Sequence, residues 1–293
     1  MSATALPHGR APLLDRKRRA WIKAAVTYIV LSVGALLFLT PLFWQITTSL
    51  KTSADTMKYP PVWIPSPPQF QNYAELFERF PIALYTLNSV FVTTMVIIGT
   101  VLSSSLAAYG FARLRMPGRD VIFLILLSTL LLPGVVLIIP QFVLFQRLQW
   151  INTYNPLIVP SFFGSAFSIF LLRQFFLTIP RELEDAARID GAGFLRIYAQ
   201  IVMPLAWPAI IAVALYTFLG AWNNFLGPLI YLSDSEKYTL PVALRYLQGS
   251  MRTRPEQHLL MAAATLSMIP CVVTFFLAQR WFMQGQVFTG VKG

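Results

Sequence analysis

Charge is what this chain has little of. Of 293 residues only 12% are Asp, Glu, Lys or Arg, against about 25% in a soluble globular domain. So little charge cannot coat a water-soluble body of this size, which excludes an ordinary soluble domain. Cysteine occurs once, at Cys271, which excludes an internal disulfide and a thiolate metal cluster. The two histidines, His8 and His258, lie far apart and make no ligand pair. No lysine follows a glycine, so the phosphate-binding loop Gly-x-x-x-x-Gly-Lys-Ser/Thr is absent and ATP hydrolysis by that route is excluded. Neither Gly-x-Ser-x-Gly nor His-Glu-x-x-His occurs, which leaves an intramembrane enzyme without a nucleophile–base set or a metal site.

What fills the chain instead is apolar, at 56% of residues. Six stretches carry no Asp, Glu, Lys or Arg: 24–50, 80–112, 121–146, 148–172, 197–233 and 259–279. Each is long enough to cross a hydrocarbon core, which takes roughly 20 residues at 1.5 Å each. A buried core helix accounts for one such stretch but not for six. The expected fold is therefore all-α: a polytopic membrane protein with spans at about 24–47, 85–111, 121–145, 156–177, 207–231 and 259–281. Residues 1–20 read as a basic tail, 21–282 as the membrane domain and 283–293 as a C-terminal tail.

Lys and Arg placement orients the bundle. With the N-terminus inside, fifteen of the 23 basic residues fall on inner segments, so both termini are expected in the cytoplasm. The net charge of +11 borders the spans rather than forming a basic domain, so nucleic acid is not an expected partner. The first span follows basic residues as a signal peptide would, but it is too long for a cleaved core and no small-residue cleavage site follows it. It reads as an uncleaved helix. Prolines punctuate the third, fourth and sixth spans at Pro133, Pro140, Pro156, Pro160 and Pro270.

The inner loop 178–206 carries the most specific pattern. From Pro180 to Gly191 it predicts a short helix, with Glu182, Glu184 and Asp185 at its positive dipole end. Glu184 and Arg188 form an i, i+4 pair, and Gly191 is placed for a left-handed cap. Leu183, Ala186, Ala187 and Ile189 make a small apolar face. A second stripe, Phe194, Ile197, Tyr198, Ile201 and Val202, follows at helical spacing and ends at Pro204. Two short amphipathic helices meeting at a glycine form a docking element.

Asp185-Ala186-Ala187, Gly191, Ile201 and Met203-Pro204 resemble, in spacing throughout, the Glu-Ala-Ala loop of binding-protein-dependent ABC importers. Asp185 stands for the family Glu and Met203 for a Leu, and Glu184 is an alternative carboxylate. Asn88-Ser89, Ala108-Tyr109-Gly110-Phe111-Ala112-Arg113, Ala221-Trp222-Asn223-Asn224-Phe225 and Thr239-Leu240-Pro241-Val242 are similar to the second, MalG-like permease subunit of sugar and glycerol-phosphate importers. So are Gln279-Arg280-Trp281 and the final Gly290-Val291-Lys292-Gly293.

The resemblance implies a permease of the bacterial inner membrane that binds no cofactor itself. ATP and Mg would sit on two partner ATPase subunits, gripping Glu182, Glu184, Asp185, Ala186, Ala187, Arg188, Asp190, Gly191, Ile201 and Pro204. It further implies a homologous second permease, an extracytoplasmic solute-binding protein, and a tail with Gln284, Gly290 and Lys292 reaching the ATPases. The outer-loop charges Asp234, Glu236, Arg245, Arg252 and Arg254 would meet the binding protein.

For substrate, neutral hydrogen-bonding groups inside spans suit a neutral sugar or polyol: Asn88, Ser89, Asn223 and Asn224, with Tyr216 and Trp222 as stacking surfaces. The same residues serve equally as helix–helix contacts within lipid, and Ser103-Ser104-Ser105 suits close helix packing. The rival function is an ion-coupled secondary transporter, which usually places Asp, Glu or His inside the membrane. All six stretches lack carboxylates.

Overall fold

The computed structural model describes residues 13–250 and 256–287. Among these the chain is helical throughout, without a strand. Four helices are long and apolar enough to cross a membrane, or up to six if each of two bent pairs is one span.

Span one is a single helix, Leu13–Ser49. Its most apolar window buries nothing inside the chain, as expected of a helix whose solvent is lipid. Its end is fixed instead by polar contacts. Asn72 Nδ2 donates to the carbonyls of Ser49 (2.8 Å) and Lys51 (2.9 Å), which seats the surface helix Gln71–Arg79 on the bundle with Leu76 fully buried.

Span two, Ile82–Arg113, is the central helix and packs against spans four and five. Thr100, Ser104, Ala108 and Ala112, all buried, recur every four residues, so one narrow stripe lets neighbouring backbones approach. The hydroxyls complete that packing. Ser103 Oγ donates to the carbonyls of Gly99 and Ser161, and Ser104 Oγ accepts the Ser165 N–H at 3.1 Å. A Cβ on Gly99 would strike Ser161 and Phe162.

Two expected spans differ from their sequence outlines. The third, expected as one span over 121–145 punctuated by Pro133 and Pro140, is two halves, Arg119–Leu131 and Gly134–Arg147, bent by 91°. The cause is Pro133, which forces the residue before it out of the helical region; Leu132 has ψ 118°. The fifth was expected to run to 231 but stops at Trp222. There Asn223 turns its amide back to the Leu219 carbonyl (2.8 Å), and a separate helix, Leu226–Tyr231, follows.

The fourth span combines Asn155–Ile158, a 3-10 segment and Ala166–Thr178, hinged at Gly164 with φ +90°. The sixth, Gln257–Val287, runs through Pro270 as one helix. Two apolar cores hold the ends of the bundle. One gathers Tyr109, Phe176, Ile197 and Val213; the other gathers Leu76, Ile82, Trp222 and Leu259.

Candidate functional site

Between Thr178 and span five lies the loop singled out by its spacing. Its helix runs Glu182–Ile189. Gly191 adopts φ +81° and closes it with both bonds of a Schellman cap, Ala192 N–H to the Ala187 carbonyl (2.9 Å) and Gly191 N–H to that of Arg188 (3.0 Å). The second helix runs Phe194–Leu205 and meets span five, Trp207–Trp222, at 80°. The second helix ends at Leu205, one residue past the Pro204 at which the sequence puts its end. The residues before it form a π turn, Tyr198–Val202, whose wider spacing accommodates a ring that would otherwise meet a carbonyl one turn back.

The two sides of the Glu182–Ile189 helix differ sharply. Leu183, Ala186 and Ile189 are exposed, Ile189 by 88%, as are Glu182, Asp185, Arg188, Asp190 and Gly191. On the other side Ala187 is half-buried and Glu184 is buried. Its Oε1 lies 2.6 Å from Nε of Arg113, with the two side chains 4% and 3% exposed. Arg113 also donates Nη2–H to the Ile179 carbonyl (2.7 Å). Asp185 is 65% exposed and reaches only Arg188, at 3.4 Å. Removing one partner of a buried pair costs about 3–5 kcal/mol, because the other charge is stranded. Of the two neighbouring carboxylates, Glu184 faces the chain's own core and Asp185 faces out.

Ile197 and Val202 are buried in the same core as span two, Ile201 is half-buried and Pro204 exposed. Tyr198 adds a polar tie, its hydroxyl 2.7 Å from Ser105 Oγ.

Midway along span two, between the apolar cores, is a cavity of about 280 Å³. Span two contributes Ser89, Thr93 and Thr100, span four Ser165 and Ser168, and span five with its end Tyr216, Thr217 and Asn224; Thr239 completes the polar lining. None of the lining residues is charged. Ser89 Oγ accepts the Leu240 N–H at 2.7 Å, whereas the buried Thr239 hydroxyl has no partner. Small-molecule sites enclose about 300–1,000 Å³, so this cavity suits part of a ligand, or a pathway shared with another chain.

Three of the six sequence candidates, Ser89, Tyr216 and Asn224, thus meet at one cavity. The other three do structural work elsewhere. Asn88 Nδ2 donates to the carbonyls of Glu236 (2.8 Å) and Tyr238 (3.0 Å), Asn223 caps span five, and buried Trp222 donates Nε1–H to the Ser267 carbonyl (3.0 Å). The threonines 93 and 100 were legible as a stripe with Ser89 at i, i+4 and i+11. Arg113 was visible as the charge ending the second apolar stretch and as the last residue of the Ala108–Arg113 motif, with nothing to pair it with Glu184. Gln284 falls in the last helix, while Gly290, Lys292, Arg252 and Arg254 lie outside the described residues.

Residues 99–286 match the family described as binding-protein-dependent transport system inner membrane component. The sn-glycerol-3-phosphate transport system permease protein UgpE of Yersinia pestis is 34% identical over 266 residues, 89% of this chain and 94% of that protein. The arabinooligosaccharides transport system permease protein AraQ of Halalkalibacterium halodurans is 33% identical over 258 residues, 86% and 91% of the two chains. In fold, a chain of a bacterial ABC transporter involved in import of the acidic polysaccharide alginate matches with TM-score 0.79 and 24% identity, over 94% of this chain and 99% of that one.

Proposed function

The chain belongs to the family of binding-protein-dependent transport system inner membrane components, and from that membership we propose that it is one of two permease subunits of an importer for neutral sugars or polyols, driven by ATPase subunits on separate chains. The observation that carries this is the outward apolar face of Leu183, Ala186 and Ile189, on a capped helix pinned from behind through Glu184. A face exposed on one side and rigidly backed on the other is a seat for a partner. Arg113, Arg173, Arg181, Arg188 and Arg196 lie on the helix or on the segments beside it, and basic residues gathered there support a cytoplasmic position for that end and for both termini.

The chain lacks a phosphate-binding loop, so ATP and its Mg²⁺ sit on the two partner subunits. Their closure shifts the loop as a rigid element, and the loop shifts the helices around the cavity. A solute-binding protein delivers ligand at the opposite end, and a second permease completes the pathway. For substrate, an uncharged lining of hydroxyls and an amide suits a neutral polyhydroxylated molecule; a phosphate or uronate would find no cation there.

The test is purification of the complex with its ATPases and reconstitution in lipid vesicles. Uptake is expected to require ATP on the ATPase side and loaded binding protein on the other. Neutral sugars should compete for it and phosphorylated ones should not. A complex that contains no ATPase, or uptake that follows an ion gradient without ATP, sinks the proposal.

A further inference from the structure

Among the described residues three polar ties fasten the loop to the bundle, and all three end on span two. Before Gly191 they are Glu184 to Arg113 (2.6 Å) and the Ile179 carbonyl to the same guanidinium (2.7 Å). After it, Tyr198 meets Ser105 at 2.7 Å, with its ring 5.4 Å from that of Tyr109. The remaining grip on the loop is apolar, from the core around Ile197 and Val202, and apolar surfaces slide more easily than a buried ion pair parts. Span two is one unbroken helix from Ile82 to Arg113, and Ser89, Thr93 and Thr100 on it line the cavity. Arg113 stands about 20 Å beyond Thr100 along that helix, at 1.5 Å per residue.

We propose that the Arg113–Glu184 pair is the joint through which movement of the loop is passed to the cavity, making Arg113 a positioning residue and Glu184 an internal anchor rather than a contact to the ATPase. This rests on the importer reading above. The geometry is that of a lever. Leu183, Ala186 and Ile189 meet the partner, Glu184 on the opposite side holds Arg113, and the rigid helix carries the displacement to its hydroxyl stripe. A buried pair suits such a joint, because it has one good arrangement and no solvent to take its place. Asp185, exposed beside it, is left free for the partner.

The experiment uses the whole complex in vesicles, with ATPase subunits, second permease and binding protein. Arg113→Gln, Arg113→Lys and the exchange Arg113→Glu with Glu184→Arg are compared with wild type. Measured are the ratio of co-purified ATPase to permease, the stimulation of ATP hydrolysis by loaded binding protein, and uptake. Arg113→Gln is expected to keep the wild-type subunit ratio yet lose stimulation and uptake by about tenfold, within the range of typical coupling energies. The exchange should recover part of that loss, which a merely structural or partner-facing role would not produce.

Arg113→Lys keeps the charge without the forked grip and should assemble with reduced uptake. Assembled variants with wild-type stimulation and uptake overturn the proposal. So does loss of assembly in every variant including Arg113→Lys, which would make the pair a structural brace alone. If wild type itself holds no ATPase, the importer reading falls first; if wild type is coupled and the variants match it, only the joint falls.

Discussion

Ser89 and Thr239 both bring a hydroxyl to the cavity, but only one is committed to the fold: Ser89 Oγ takes the N–H of Leu240 at 2.7 Å, while Thr239, the residue before Leu240, keeps a buried hydroxyl without a partner among the described residues. Ser89→Ala is therefore expected to strand a buried N–H, costing about 1–3 kcal/mol and lowering the melting temperature of the purified protein. Thr239→Val, nearly equal in shape, should leave melting unchanged and reduce uptake of a sugar. Unchanged uptake in the Val variant would remove Thr239 from the pathway.

Gly191 sits at φ +81° with open space where a Cβ would go. The cost of a side chain there is conformational, about 1–2 kcal/mol for the left-handed region, and greater for a β-branched one. Gly191→Val is expected to unwind the Schellman cap and abolish capture of the ATPase subunits in a pull-down. Gly193→Ala, two residues on, where φ is −77° and no atom lies near, should be close to wild type.

Packing, not backbone strain, decides at Gly99. A Cβ there meets Ser161 and the ring of Phe162, so Gly99→Ala should force spans two and four apart at a cost of about 1–3 kcal/mol. Gly110, on the same helix with nothing near, is the control. Denaturant titration in detergent should separate the two; equal midpoints would mean the stripe yields freely.

The link after the fifth span is held by a clasp with a defined acid limit. Asn152 Nδ2 donates to Asp234 (2.7 Å), and its Oδ1 accepts the N–H groups of Ser233 and Asp234. Lys237, and then Asn152 and burial working against them, leave the Asp234 carboxyl below its ordinary range. A carboxyl depressed on folding contributes stability above its unfolded pKa and loses it as pH falls through the folded value. Protection of the amides across 232–239, taken relative to intrinsic exchange at each pH, should therefore stay constant down to the ordinary aspartate value of about 3.9 and fall only below it. Loosening that begins near neutrality would contradict the clasp, and Asp234→Asn should remove the pH dependence.

How much of this was legible in the sequence varied with the physics involved. The Gly191 cap was readable, because caps depend on residues within one turn, and Pro180 marked the start only to within two residues, the helix opening at Glu182 behind Arg181. The bend at Pro133 was half-readable: proline marks where a helix is weak, but the 91° angle depends on what packs beside it. Pro204 marked the end of the second helix to within one residue, but the π turn before it, Tyr198–Val202, had no signal in the sequence. Ser89, Asn88 and Asn223 looked alike as polar groups in apolar stretches, yet one lines a cavity, one ties down a distant link and one caps its own helix.

By itself the sequence determined that the chain must live in lipid, how many apolar stretches it has, and where the short glycine-capped helix of the loop 178–206 lies. Those follow from local composition and periodicity, since each helix satisfies its own backbone. Only the tertiary structure decided which of two adjacent carboxylates turns inward, that Arg113 meets it from 71 positions earlier in the chain, and which hydroxyls share one cavity. Facing directions are set by contacts between helices, and no residue carries them in its own identity.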